Sequence, residues 1–259
     1  MSPSLTPLRR EEKEEMMIIS DIQYKDIPKL HYSDVGTLSW EDIAHLGRVL
    51  GALWIYDYES PLSGFHAELK SGLHSDGFFN MRALLKQENI RMIFATQLLQ
   101  RVLKECESRI DGIVGVPNGA TALAESMATF LGIQYGKLNK DWNGENVFSL
   151  MNGMGCDPYI LIVEDVCTRG TGFSQAVTTL KEAYNGAIRF VPLCPVILNR
   201  GGIHQIFVEG IEFQVVALCE YRLHEWEPQE CRLCNKGSQP IAPKASEENW
   251  EKLTKSQLL

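Results

Sequence analysis

The sequence predicts an α/β fold: a parallel five-stranded sheet flanked by helices, with a small antiparallel lobe formed by the N-terminal third. Two observations predict it. From Asp111 onward, apolar runs typical of buried strands alternate with segments of helical spacing. Upstream, residues 54–80 contain short strand-like pieces separated by Pro, Ser and Gly. The 259 residues, of which 44% are hydrophobic, are enough to bury a sizeable core.

The elements before the sheet start with a mixed-charge stretch over residues 1–35, which we interpret as an arm or a frayed helix. Ser39, followed by Glu41 and Asp42, is typical of a helix start, with a capping residue and first-turn acids. Three strand-like pieces and a second helical segment follow, at 54–58, 65–69, 77–80 and 88–105.

The elements of the sheet follow from the alternation after Asp111. Strands are expected at 112–116, at 133–138, from Ile160, near 187–197 and near 212–220, with helices at 120–131 and about 173–185 and a loop rich in Asn, Gly and Asp over 140–158. We divide the chain into an N-terminal arm (1–35), a main domain (36–226, lobe about 54–85 and core about 88–226) and a C-terminal tail (227–259).

Composition excludes several classes of function. The net charge of −8 makes nucleic acid an unexpected main partner. No apolar stretch reaches the roughly 18 residues that cross a bilayer, and the charged N-terminus lacks the apolar core of a signal peptide. Seven cysteines, an odd number with several in apolar runs, are typical of reduced, packed thiols. We therefore expect a cytoplasmic protein without a membrane partner.

Residues 160–173 carry the strongest functional signal. Four apolar residues run into the adjacent carboxylates Glu164 and Asp165, and a Thr/Gly loop and a helix-like segment follow. The glycines let backbone N–H groups approach an anion, and the helix directs its positive end to the same place. Open α/β sheets bind ligands at the carboxyl ends of their strands. The pattern therefore suits a sugar phosphate, and the alternative is an ordinary strand–turn–helix connection with a Gly-rich turn.

This segment resembles the phosphoribosyl pyrophosphate (PRPP) signature of type I phosphoribosyltransferases. In that family an apolar strand and two acids are followed by two variable residues and Thr-x-Gly-Thr or a close variant. The resemblance implies that Glu164 and Asp165 bind the ribose hydroxyls and stabilise an oxocarbenium-like centre. The residues that it assigns to the 5′-phosphate are Thr168, Arg169, Gly170, Thr171 and Gly172.

A second informative segment covers residues 69–80. Lys70 could meet the charge of a diphosphate, and Phe78 and Phe79 could offer a face to a flat base. From the residues alone, a β-hairpin with two core phenylalanines is the favoured alternative. The segment is similar, however, to the hood motif of orotate phosphoribosyltransferases, Leu-Lys-Ser-Gly followed by Ser, an aromatic pair and Asn. That resemblance implies that Lys70 contacts PRPP and that the aromatic residues line the base site.

The turn after the first core strand contains Pro117, Asn118 and Gly119. It ends a strand and opens a helix, so its N–H groups could hold a diphosphate, although a plain strand-to-helix connection explains it equally well. In the family this position is the pyrophosphate loop.

A fourth segment departs from the family's pattern. Orotate phosphoribosyltransferases carry a mobile basic loop, Arg-Lys-x-x-Lys-x-His-Gly, which closes over the neighbouring subunit's site. Here Lys137 and Lys140 keep the spacing, but Gly136 replaces the Arg and Trp142 replaces the His. The resemblance implies that Lys140 is the catalytic lysine and that both lysines bind diphosphate. A solvated loop is the alternative.

Together the motifs imply an Mg²⁺-dependent glycosyltransferase, a homodimer that moves the phosphoribosyl group of PRPP onto orotate or a related base and releases diphosphate. Mg²⁺ would be held through the substrate, with Asp165 as a candidate ligand. The altered basic loop leaves two alternatives open: a phosphoribosyltransferase for a different base, and a PRPP-binding regulatory protein without turnover.

The C-terminal tail contains Cys231-x-x-Cys234, with Cys219, His224 and His204 nearby. This spacing suits two ligands of a tetrahedral zinc site. Since no second CxxC or HxxxH completes it, structural thiols are the favoured interpretation.

Overall fold

The structure of the protein is a computed structural model that describes residues 17–106, 109–141 and 147–257. Within these residues the chain forms seven α-helices: α1 (Trp40–Val49), α2 (Met81–Leu85), α3 (Glu88–Glu105), α4 (Thr121–Leu131), α5 (Thr171–Ala183), α6 (Arg232–Asn235) and α7 (Glu247–Lys255). The same residues form fourteen strands: β1 (Leu53–Ile55), β2 (Phe65–Glu68), β3 (His74–Ser75), β4 (Gly77–Phe79), β5 (Gly112–Gly115), β6 (Gln134–Asp141), β7 (Val147–Asn152), β8 (Tyr159–Cys167), β9 (Arg189–Phe190), β10 (Leu193–Asn199), β11 (Gln205–Val208), β12 (Ile211–Glu220), β13 (Glu225–Trp226) and β14 (Gln239–Ile241).

A central sheet has the strand order β11-β12-β10-β8-β5-β6-β7, with β9 paired to the start of β8. Its five inner strands, from β12 to β6, are parallel to one another, and β11 and β7 add antiparallel edges. This arrangement confirms the predicted α/β class and the five-stranded parallel sheet. The edge strand β11, which pairs with β12, was not predicted.

Helices cover both faces of this sheet, as the continuous apolar run of β8 requires. Alternation along the strand sends Leu161 and Val163 to a core shared with α3 and α4. It sends Ile160 and Ile162 to a second core beneath α5. The charged end of β8 therefore emerges from a strand whose position is fixed by packing on both sides.

The start of helix α1 is set by the side chains of its first turn. Ser39 Oγ accepts a hydrogen bond from the backbone N of Asp42 at 3.2 Å, and the Asp42 carboxylate accepts one from the N of Ser39 at 2.8 Å. This capping box satisfies two backbone donors at the first turn of α1, which confirms the helix start predicted there.

The expected loop over residues 140–158 is wrong. The described residues instead form an antiparallel pair, in which β6 extends to Asp141 and β7 returns from Val147 to Asn152. Leu138 and Phe148 are buried against the core under α5. The burial of Leu138 and Phe148 outweighs a composition rich in Asn and Gly.

The described part of the N-terminal arm, residues 17–35, packs against the main core. Five apolar side chains spaced along it are buried in the cluster that includes α1 and α3. The Asn89 side chain also donates to the backbone carbonyls of Ile27, Pro28 and Leu30. The five buried side chains are Ile19, Ile22, Ile27, Leu30 and Val35.

The hood is the layer formed by the pair β1–β4 and the four-stranded sheet β13-β3-β2-β14. Two of these strands, β13 and β14, come from the C-terminal part of the chain, so the hood is not built from the N-terminal third alone. Leu233 and Leu253 pack with Trp54 in its core. Residues 228–257, expected in a tail, are thus packed against the hood. No described helix is long and apolar enough to cross a membrane.

Candidate active site

The candidate site lies where neighbouring strands β5 and β8 end. The chain leaves β5 through α4 toward β6 on one side and leaves β8 through α5 toward β10 on the other. Such a reversal opens a crevice outside the carboxyl ends of the strands, where open α/β sheets bind ligands. The acid pair and the two Gly-containing loops predicted from the sequence all occupy this crevice.

The proposed phosphate loop forms a tight turn between β8 and α5. Gly170 has φ = 69° and begins α5 without a side-chain cap. The first N–H groups of α5 therefore have no capping side chain and suit an anion. A Cβ atom at Gly170 would lie 2.8 Å from Ile206 Cδ1. Both the positive φ and the close packing against Ile206 require glycine at this position, so a substitution would disturb the fold.

Glu164 is the buried member of the acid pair. Its Oε1 lies beside Gly172, where a Cβ would come within 3.0 Å of it, and its Oε2 has no hydrogen-bond partner among the described residues. Burial, with smaller contributions from Cys167 and Asp165, raises the pKa of Glu164 well above its usual value. A buried carboxyl oxygen without a partner is costly, and a ligand hydroxyl would satisfy it.

Asp165 joins the second loop to the first. A Cβ atom at Gly119 would lie 2.2 Å from Asp165 Oδ2, so only glycine allows this loop to approach the carboxylate. The peptide bond between Pro117 and Asn118 is cis. Burial raises the pKa of Asp165, whereas the backbone N–H of Val166, which its Oδ1 accepts at 2.9 Å, and the charge of Lys244 act to lower it. The structure therefore brings Gly119 and the acid pair together.

Two of the three predicted lysines are neighbours. The pKa of Lys140 is lowered, first by burial and second by the positive charge of Lys70 in the hood. Lys140 Nζ also lies 5.8 Å from the centroid of the Phe148 ring. A second positive charge disfavours the charged form of Lys140, and an anion that binds both lysines would offset this effect.

Lys137 is separated from this pair. Side chains alternate along β6, where Lys137 is exposed and Leu138 and Lys140 face inward. The backbone N of Lys137 donates to Asn152 Oδ1 at 2.5 Å, which ties this part of β6 to β7. Gly136 is buried, and Trp142, the other departure from the family's basic loop, lies outside the described residues.

The two phenylalanines predicted to line a base site lie in different cores. Phe79 packs into the main core beside Trp40, and Phe78 packs into the hood core against Trp250. Successive residues of a strand point to opposite faces, so the rings cannot both stack on one base. Each ring packs in a hydrophobic core, which agrees with the alternative of two core phenylalanines. A role of Phe78 and Phe79 in the base site stays a prediction.

Sequence reasoning missed Lys244. Its Nζ lies 5.4 Å from the centroid of Phe78, and its charge acts on the carboxyl of Asp165. The strand β14 that precedes it pairs with β2 of the hood, which carries the exposed ammonium toward the acid pair. No local signal identified it, because a lysine in a Pro-containing segment is unremarkable until the segment's packing is known.

Arg200 connects the crevice to the hood. Its backbone N donates to Cys167 O at 2.8 Å, and its guanidinium pairs with Glu225 on β13. Burial lowers the pKa of Arg200, and the charge of Glu225 opposes that change. This half-buried ion pair links the hood to the end of β8, and sequence reasoning did not find it.

No protein-family model matches this chain. Curated relatives are nevertheless similar to it over most of its length. Orotate phosphoribosyltransferase of Caldicellulosiruptor saccharolyticus is 25% identical over 189 residues, covering 72% of this chain and 91% of the relative. Orotate phosphoribosyltransferase of Caldanaerobacter subterraneus is 26% identical over 193 residues, covering 74% and 94%. The resemblance to orotate phosphoribosyltransferases, inferred from the motifs, is confirmed by these relatives.

Solved structures are also similar. Orotate phosphoribosyltransferase from Aeropyrum pernix superposes with a TM-score of 0.49 at 21% identity and covers 69% of this chain and 93% of its own. Orotate phosphoribosyltransferase from Mycobacterium tuberculosis, solved with Fe(III) dicitrate, superposes with a TM-score of 0.47 at 16% identity, covering 68% and 95%.

Proposed function

We propose that the protein is an orotate phosphoribosyltransferase-like enzyme, which transfers the phosphoribosyl group of PRPP to orotate or a related base and releases diphosphate. One observation carries the proposal. The acid pair, the loop before α5 and the loop before α4 meet in a single crevice at the reversal point between β5 and β8. The named curated relatives support the same activity.

The chain's residues take complementary parts in this proposal. The backbone of residues 168–172 would hold the 5′-phosphate at the start of α5. Glu164 Oε2, which lacks a partner among the described residues, would hydrogen-bond a ribose hydroxyl. Asp165 would stabilise positive charge on the sugar as the bond to diphosphate breaks. A carboxylate aimed at charge that develops in the transition state lowers the barrier.

Lys70 and Lys140 would hold the leaving diphosphate. An anion bound by both lysines would offset the effect of the Lys70 charge, which lowers the pKa of Lys140. Charge on the diphosphate grows as the C–O bond breaks, so Lys140 would contribute more to the transition state than to substrate binding. Lys137, on the other face of β6, would contribute only if the strand end rearranges.

Mg²⁺ is the cation that the resemblance implies, and the residues present fit it. Hard cations prefer oxygen ligands, and the crevice offers the carboxylates of Glu164 and Asp165 beside a glycine. Asp165 and the oxygens of PRPP would hold the ion. When bound, Mg²⁺ would neutralise negative charge on the diphosphate.

Two further properties rest on the resemblance or the composition. A homodimer is proposed because the related enzymes' basic loop closes over a neighbouring subunit. A cytoplasmic location is proposed because all seven cysteines, each within the described residues, carry free thiols, which suits a reducing compartment.

Diphosphate release tests the proposal. The full chain is incubated with PRPP, Mg²⁺ and, in separate reactions, orotate, uracil, adenine and hypoxanthine. We expect release with orotate well above the reaction without base. Release with another base alone would reassign the acceptor. PRPP binding by calorimetry without release for any base would favour the regulatory alternative.

A further inference from the structure

The hood contains a cluster of four side chains with the donor set of a metal site. His66 on β2, His74 on β3, Cys231 directly before α6 and Cys234 within α6 present one ligand atom each. These four atoms all lie within 4.8 Å of one another. Two histidines and two cysteines form a set that suits zinc. We propose that the cluster binds one structural Zn²⁺ ion.

The distances within the cluster match a tetrahedral ion. His66 Nε2 lies 3.1 Å from His74 Nδ1, 3.5 Å from Cys231 Sγ and 3.6 Å from Cys234 Sγ. Cys234 Sγ lies 3.3 Å from His74 Nδ1. Zn–N and Zn–S bonds of ordinary length at tetrahedral angles put two nitrogens about 3.3 Å apart and a nitrogen and a sulfur about 3.6 Å apart. The four side chains therefore already surround a volume of the right size.

Outer contacts orient the ligands toward that volume. Ser238 Oγ donates to the carbonyl of Gly64 at 3.2 Å and so accepts from Nδ1–H of His66 at 2.9 Å. This tautomer leaves the lone pair of His66 Nε2 directed into the cluster, as outer partners of zinc-bound histidines do. The backbone N of Cys234 lies 3.5 Å from Cys231 Sγ, so its N–H points at a sulfur that carries charge when it binds metal.

Burial and topology favour a structural role. His66, His74 and Cys231 are buried and Cys234 is half-buried, so four protein ligands close the site and leave no position for a substrate. Cys231 and His66 are 165 positions apart in sequence. The ion would join the C-terminal segment to β2 and β3 and so hold the segment that carries Lys244. The proposal does not depend on the chemistry of the crevice.

Metal analysis of the full chain tests the proposal. Protein without a histidine tag is purified under reducing conditions without chelators, and its zinc is measured by mass spectrometry. We expect about one zinc per chain in the parent protein and in Cys156→Ser, which removes an exposed thiol elsewhere. We expect most of the zinc to be lost in Cys234→Ser, at the least buried ligand. Equal zinc in the two variants would overturn the assignment.

Cobalt keeps the test decisive if Cys234→Ser fails to fold. The parent protein is stripped of metal, reduced and titrated with Co²⁺. A tetrahedral site with thiolate ligands gives intense visible bands and a sulfur-to-cobalt charge-transfer band, saturating at one equivalent and displaced by Zn²⁺. Co²⁺ bound without the charge-transfer band, or no binding of Co²⁺ or Zn²⁺, would overturn the proposal.

Discussion

The residues that form the crevice were largely predictable from the sequence, whereas the residues that form the hood cluster were not. The crevice is built largely from two short contiguous segments, residues 115–120 and 160–173, and its acids and glycines follow directly from local spacing. The hood cluster joins residues from positions 66, 74, 231 and 234. A site formed by neighbours in sequence leaves a pattern, whereas a site formed by strand pairing becomes visible only with the topology.

The largest expected effect belongs to the crevice. Lys140→Ala should lower kcat on the order of 100-fold, because a cation is lost where charge develops on the leaving diphosphate. The KM for PRPP should change much less. Steady-state kinetics with orotate measure both constants, and Lys104→Ala, an exposed lysine on α3, is the control. If kcat and the affinity for PRPP fell by the same factor, Lys140 would act only through general charge attraction and not specifically in the transition state.

Glu164→Gln should reduce kcat by about ten-fold or more, equivalent to roughly 1.4 kcal/mol of barrier. The amide keeps the shape of the side chain but replaces one carboxyl oxygen, proposed to hydrogen-bond a ribose hydroxyl, with an NH₂ group that can only donate. Thermal unfolding measured alongside separates chemistry from folding, since removing a buried ionisable group should not lower the melting temperature. Parent-like turnover would make Glu164 a structural residue.

Metal removal should affect the hood more than the crevice. A chelator should lower the melting temperature of the parent protein by roughly 5 to 10 °C, because an ion that binds only the folded state stabilises it. Cys156→Ser should respond like the parent, and Cys234→Ser should not respond. If the chelator left the melting temperature of the parent protein unchanged, the cluster would not have the stabilising role proposed for it.

The smallest expected effect belongs to the residue that links the two regions. Lys244→Met should raise the KM for PRPP about three- to five-fold, because an exposed ammonium near Asp165 contributes modest, screened attraction. The matched variant Lys252→Met, on α7 and paired with Glu248, should match the parent. If the KM of Lys244→Met were unchanged, Lys244 would not contribute to PRPP binding and its role would be limited to its contact with Phe78.

Much of the fold was predictable, and the failures share a cause. The strand–helix alternation after Asp111 predicted the parallel sheet, because each short apolar run is typical of a strand that is buried on both faces. The pair β6–β7 was missed because Asn and Gly obscured the alternation around Phe148. The burial of the described part of the arm was not predicted, although Ile19, Ile22 and Ile27 recur at intervals that could have indicated a buried face.

The candidate site divides in the same way. Glu164, Asp165 and Gly119 were predicted and lie together, since the loop and strand geometry is local. Phe78 and Phe79 were predicted to line the base site, but adjacent strand residues point in opposite directions and the two rings lie in different cores. Lys244 reaches the crevice only through the packing of the hood, which no local pattern encodes. Arg200 follows β10 and contacts the end of β8 through its backbone, and its ion pair with Glu225 depends on the same packing.

The central claim is that the crevice between β5 and β8 transfers the phosphoribosyl group. The most direct measurement follows diphosphate release and PRPP binding together in the parent protein and in Asp165→Asn, with orotate and Mg²⁺, and with Asp21→Asn as the exposed control. We expect one diphosphate per orotate consumed, and a rate at least ten-fold lower in Asp165→Asn while PRPP still binds. Equal rates in the two proteins would contradict the claim, as would PRPP binding without any release.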